Sequence, residues 1–156
     1  MNSLNRYIIL VVLLGLQVWA VDLISIRGCK PDLVLIFFLL SFAGTGGFHI
    51  VIIGFLIGLA QDFIGGDFWG VNALAKTLTG FLMIKLFPDK IPDERWLYLT
   101  GMVSCIFLHD FVFWFIQGQA EYIGFWRFLW SQAIPSALYN SFIFTLVSYI
   151  GKGKRR

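Results

Sequence analysis

Residues 31–64 read PDLVLIFFLLSFAGTGGFHIVIIGFLIGLAQDFI. Apart from the Gly44-Thr45-Gly46-Gly47 cluster and the aspartates near either end, the stretch is almost wholly apolar. Its meaning therefore lies in length, since a helix crossing a hydrocarbon core needs about 20 residues at about 1.5 Å each. Pro31 is pre-set for a first helical turn, and Asp32 places a carboxylate at the positive end of the dipole. The glycine cluster reads as a hairpin turn. This predicts a helix over 31–43, only about 20 Å long, followed by one over 48–64. Three arrangements stay open for the short helix: it thins the bilayer, extends into the turn, or is re-entrant.

Four more apolar segments flank this hairpin, at about residues 7–26, 71–87, 96–116 and 125–150. A second glycine-rich turn, Gly65 to Gly70, leads into the fourth segment. Residues 88–95 (PDKIPDER) form the clearest water-exposed connection, and Pro135 is expected to kink the last helix. The first segment has flanks like those of a signal peptide, with Arg6 before it and Val18-Trp19-Ala20 near its end. Five further apolar segments commit the chain to the membrane, so the first is read as a retained span. Composition agrees. Of the 156 residues 58% are hydrophobic and only 13% are charged, about half the roughly 25% charged share of soluble domains. So few charges cannot cover a water-facing surface of this size, which excludes an ordinary soluble domain, a disordered chain and a nucleic-acid-binding module. The expected fold is one polytopic all-α membrane domain over residues 1–156, a six-helix transmembrane bundle with a short second helix.

Six spans put both termini on one side. That side would carry Arg6, Lys85, Lys90, Arg95 and the tail cations Lys152, Lys154, Arg155 and Arg156, against Arg27, Lys30 and Arg127 opposite. Positive charge concentrates on the cytoplasmic side of membrane proteins. Both termini are therefore expected in the cytoplasm. Trp19, Trp69, Trp96, Trp126 and Trp130 stand near predicted helix ends, as interfacial anchors do. Cys29 and Cys105 lie at different depths without metal-ligand spacing, so neither a disulfide nor a metal site is expected.

Ionisable residues inside a bilayer cost several kcal/mol unless paired or hydrated. Asp62, Lys76, His109 and Asp110 are the ones at issue. On the third helix Gly54, Gly58, Gln61, Asp62 and Gly65 share one small or polar face, and on the fourth Asn72, Ala73, Lys76, Thr77 and Gly80 do the same. Small faces let helices approach closely where lipid removes the hydrophobic drive. Counted from the intervening turn, Asp62 lies about 4–5 Å deep and Lys76 about 9 Å deep at 1.5 Å per residue, a gap a snorkelling lysine can bridge. The expected pair is Asp62–Lys76. It locks the hairpin, serves a substrate or proton, or gives way to an unpaired snorkelling lysine. His109 and Asp110 are adjacent and point about 100° apart, so no i,i+4 pairing joins them. His109 reads as a hydrogen-bonded core residue and Asp110 as a partner for a polar group on another span. Asn140 is placed to satisfy backbone groups freed by the Pro135 kink. No G-x-S-x-G, H-E-x-x-H or P-loop pattern occurs, so no catalytic residues, cofactor or enzymatic activity are expected.

Residues 58–74, GLAQDFIGGDFWGVNAL, resemble the rod shape-determining protein MreD family. Its pattern G-L-x-x-D-x-x-x-G-x-x-x-G-x-x-A-L falls here on Gly58, Leu59, Asp62, Gly66, Gly70, Ala73 and Leu74. Pro31 and a late Pro135-to-Asn140 element agree, as do length, short loops and basic ends. The resemblance implies a non-catalytic membrane scaffold of the bacterial cell-elongation machinery in the cytoplasmic (inner) membrane. Its partners would be MreC directly, and MreB, RodA and a class B penicillin-binding protein indirectly, in contact with membrane lipid and with no nucleic acid. It also implies a bundle like the S component of energy-coupling-factor transporters. From that likeness comes the alternative, a substrate-binding subunit of a vitamin-type transporter with a ligand pocket between helices. Few converging polar groups are expected to line such a pocket.

Overall fold

The computed structural model describes residues 3–19, 21–25, 29–65, 70–88, 90–120 and 124–152. They form α1 (Ser3–Trp19), α2 (Leu33–Phe42), α3 (His49–Gly65), α4 (Val71–Leu86), α5 (Arg95–Ala120), a short α6 (Phe125–Phe128) and α7 (Ile134–Lys152). No strand occurs among the described residues. The six expected segments are all helical, although the first ends earlier, at Trp19, and gives way to a 3-10 turn over Val21–Ile24. Two helical stretches are long and apolar enough to cross a membrane, Arg95–Gly118 and Phe125–Ile150, while Ile8–Gln17, Leu33–Phe42 and His49–Gly65 are shorter apolar helices.

Local chemistry explains the boundaries. The Asp32 side chain caps α2 by accepting from Leu35 N at 2.8 Å, which satisfies one of the amides a helix start leaves open. Ten residues make α2 about 15 Å long. The last segment changes helical type where Pro135 removes a donor: Leu129–Ala133 is π-helical, and Ile134 N–H reaches back five residues to Leu129 O. Widening the helix by one residue per turn relieves the clash a proline ring makes with the preceding turn. The expected kink is thus a π-turn.

Consecutive segments run alternately up and down. At one end Arg6 of α1 sits over the Phe42 ring of α2 at 5.9 Å, Phe87 after α4 meets Tyr98 of α5 at 6.1 Å, and Tyr98 meets Phe144 of α7 at 6.1 Å. The opposite end gathers the last turn of α1, the start of α2, the end of α3 and the start of α4. At that end lie also the C-terminal half of α5 and the first half of α7. Between the two ends runs an apolar core with Leu35, Phe38, Leu39, Met102, Ile106 and Phe144 fully buried.

The surface is apolar where a soluble protein would be polar. Val11, Phe48, Phe63, Phe142 and Ile150 are all exposed, whereas Lys76 is completely buried. Trp19, Trp96, Trp126 and Trp130 are largely exposed, as interfacial anchors require. Trp69, Gly66 and the tail residues 153–156 lie outside the described residues.

Candidate functional site

Close approach of α3 and α4 creates the site. A Cβ on Gly58 would stand 2.5 Å from Ala73 Cα, and one on Gly54 would stand 2.6 Å from Lys76 O, so only glycine permits this contact. Gly70, at φ +94°, turns the chain into α4, a conformation that L side chains rarely adopt. The turn presents the first amides of α4 to Asp62. The carboxylate accepts from Gly70 N, Asn72 N and Ala73 N, each at 3.0 Å, and from Asn72 Nδ2 at 3.0 Å. Four donors fill its four lone-pair positions, and the positive end of the α4 dipole adds to their effect.

Lys76 is not the partner of Asp62. Its ammonium, fully buried, donates to Asp32 Oδ2 at 2.6 Å, to Asn72 Oδ1 at 3.1 Å and to His109 Nε2 at 3.3 Å. The expected ion pair is displaced because backbone amides already saturate Asp62, leaving Asp32 of α2 as the carboxylate with free capacity. Asn72 links the two residues, giving its amide hydrogen to Asp62 and its oxygen to Lys76.

From Lys76 the network continues into α5 and α7. An ammonium has no acceptor, so His109 Nε2 is the acceptor and the ring proton sits on Nδ1, which donates to Asp110 Oδ1 at 2.9 Å. Despite their divergent directions, these neighbours do bond. Asp110 Oδ2 accepts from Asn140 Nδ2 at 2.8 Å, and Asn140 Oδ1 accepts from Asp32 N at 2.8 Å. That closes a ring through Asp32, Lys76, His109, Asp110 and Asn140. Asn140 therefore joins α2 to α5 and does not serve the proline kink. From α1, Gln17 Oε1 accepts from Leu33 N and Gln17 Nε2 donates to Pro31 O. All six segments contribute a side chain.

Beside the ring lies a cavity of about 520 Å³. Asp32, Asp62, His109, Asp110 and Asn140 face it, and Gln17, Gln61, Ser136, Phe113, Trp114 and Lys30 are among the other residues of its wall. The expectation of few converging polar groups fails here, because residues far apart in sequence converge only once the bundle closes. Gln17, Asp32 and Ser136 were not grouped with Asp62 by sequence reasoning. The available signal was depth, since each lies near the same end of its segment.

The class of protein follows from these features: a helical membrane protein, apolar outside, with a closed polar network inside. The chain belongs to the rod shape-determining protein MreD family, whose model matches residues 1–151. This is a family of shape-determining structural proteins, not known as enzymes. No curated protein and no solved structure matches the chain.

Proposed function

We propose that the protein is a non-catalytic membrane scaffold of the bacterial cell-elongation machinery. It spans the cytoplasmic (inner) membrane six times with both termini in the cytoplasm. It binds MreC and helps couple MreB filaments to peptidoglycan synthesis by RodA and a class B penicillin-binding protein, and so to rod shape. The observation that carries this reading is the buried ring. With Asn72–Asp62 and Gln17 attached to it, the ring ties all six segments into one body, and a body held that way presents an apolar outer face of fixed shape to a partner's transmembrane helix. The bias of cations toward the terminal side supports the orientation.

Co-purification with MreC tests the reading. An Asp62→Ala, Gly70→Leu double variant removes the acceptor at the α3–α4 turn and the residue that makes the turn, and it should recover much less MreC than the unaltered protein. Undiminished recovery would count against placing the interaction on this hairpin.

The polar cavity supports a second reading, the substrate-binding subunit of a vitamin-type transporter. Thermal unfolding with a vitamin panel separates the two, because a tight ligand at 100–1,000 times its Kd stabilises by about 3–4 kcal/mol.

A further inference from the structure

Among the described residues, the cavity beside the ring carries more negative charge than its partners neutralise. Asp62 is saturated by four donors, and Asp32 is matched by Lys76. Lys76 Nζ and His109 Nε2 face each other at 3.3 Å, so one of them has to accept and the pair holds a single positive charge. Asp110 is then left with two neutral donors, His109 and Asn140, while only 2% exposed. A buried carboxylate in that condition calls for a further cation. With exposed Lys30 in the wall, the described residues of the cavity and ring hold three carboxylates against two ammonium groups.

Two further polar groups of the wall point to a bound molecule. Ser136 lines the cavity at 3% exposure and brings a hydroxyl to its wall. Gln61 lines it too, and its buried Oε1 has no partner there. Uncompensated groups of this kind are rare in native interiors. At about 520 Å³ the space exceeds what a bare ion needs and falls among small-molecule clefts, which run from about 300 to 1,000 Å³. Phe113 and Trp114 add aromatic surface, which attracts organic cations.

We propose that this cavity binds a small organic cation through an ammonium group seated at Asp110, with Ser136 and Gln61 as further hydrogen-bonding partners. The ammonium belongs to a free amine or to the ethanolamine headgroup of a lipid. This stands apart from the scaffold reading and is tested on the purified chain alone, so its failure leaves MreC association untouched.

The full chain, purified in an uncharged detergent, is melted with ethanolamine, with glycerophosphoethanolamine and with ethylene glycol as the neutral control. The expected result is saturable stabilisation by the two amines and none by the diol. Asp110→Asn should weaken the apparent affinity by about tenfold or more, the worth of a charge-assisted hydrogen bond. Ser136→Ala, which removes one hydroxyl from the cavity wall and leaves the ring intact, should weaken amine binding several-fold; it carries the test if Asp110→Asn does not fold. Retention of phosphatidylethanolamine over phosphatidylglycerol in native mass spectrometry assigns the headgroup, and binding of free ethanolamine without such retention assigns a soluble amine. Equal effects of amine and diol, stabilisation by sodium ions alone, or undiminished amine binding in both variants would overturn the proposal.

Discussion

Lys76 Nζ lies 2.6 Å from Asp32 Oδ2, joining α4 to α2 across 44 residues of sequence. Each depends on the other, because both are buried, at 0% and 8% exposure. Asp32 carries a double duty: its other oxygen caps α2, and its amide is held by Asn140 of α7. The short second helix is therefore fixed in the bundle by its first turn, which helps explain how so brief a segment keeps its place.

Lys76→Met removes the one cation of the ring while keeping most of its volume. Asp32 then stays buried without its counter-charge, and loss of one partner of a buried pair costs about 3–5 kcal/mol. Thermal unfolding in detergent should show a large fall. Asp32→Asn in the Lys76→Met background should cost far less than the two single effects added together, because the stranded charge disappears with it. Strict additivity would mean that the contact is not an energetic pair.

Asp62→Asn tests the turn. The amide keeps the shape of the carboxylate but aims an NH2 group at N–H donors of Gly70 or Ala73, both of which bond to Oδ2. Losing even one charge-assisted bond should cost about 1.5–3 kcal/mol. Denaturation measures the loss, and proteolysis between α3 and α4 should accelerate in step with it. A variant as stable and as resistant as the original would show that the amides need no anion.

How far each contact could be foreseen follows from its sequence separation. The glycine-rich turn that brings Asp62 to the start of the fourth segment is legible locally, but the capture of its carboxylate by the Gly70 and Ala73 amides is not, because that depends on the backbone geometry of the turn. Pro31 and Asp32 are likewise legible locally, as a helix start. Asp32 with Asn140, 108 residues apart, depends on the order of helices around the bundle. Apolar segments that are hydrophobic all round give no periodicity from which to read that order. Proximity in sequence points Lys76 to Asp62 across the turn, but backbone amides already occupy that carboxylate.

Gly58→Ala should be harmful out of proportion to its size. The added methyl would stand 2.5 Å from Ala73 Cα, and backbone cannot step aside as a flexible side chain would, so about 1–3 kcal/mol of overpacking is expected. Gly15→Ala is the matched control. A Cβ there meets nothing within 4 Å, and alanine should stabilise α1 by up to about 1 kcal/mol. Melting temperatures of the two variants should therefore move in opposite directions.

Cys29 reports the charge on Asp110 from outside the helices. Its thiol is pushed above the usual value of 9.0, first by burial and then by the Asp110 carboxylate. Only the thiolate alkylates readily, so in a Cys105→Ala background, where Cys29 is the sole cysteine, iodoacetamide should react slowly at neutral pH. The rate should rise at higher pH than for a free thiol. Asp110→Asn deletes the carboxylate's contribution and leaves the burial, so the pH profile should shift part of the way down. A profile that does not move when Asp110 becomes neutral would mean that the carboxylate bears no charge, and the surplus negative charge assigned to the cavity would go with it.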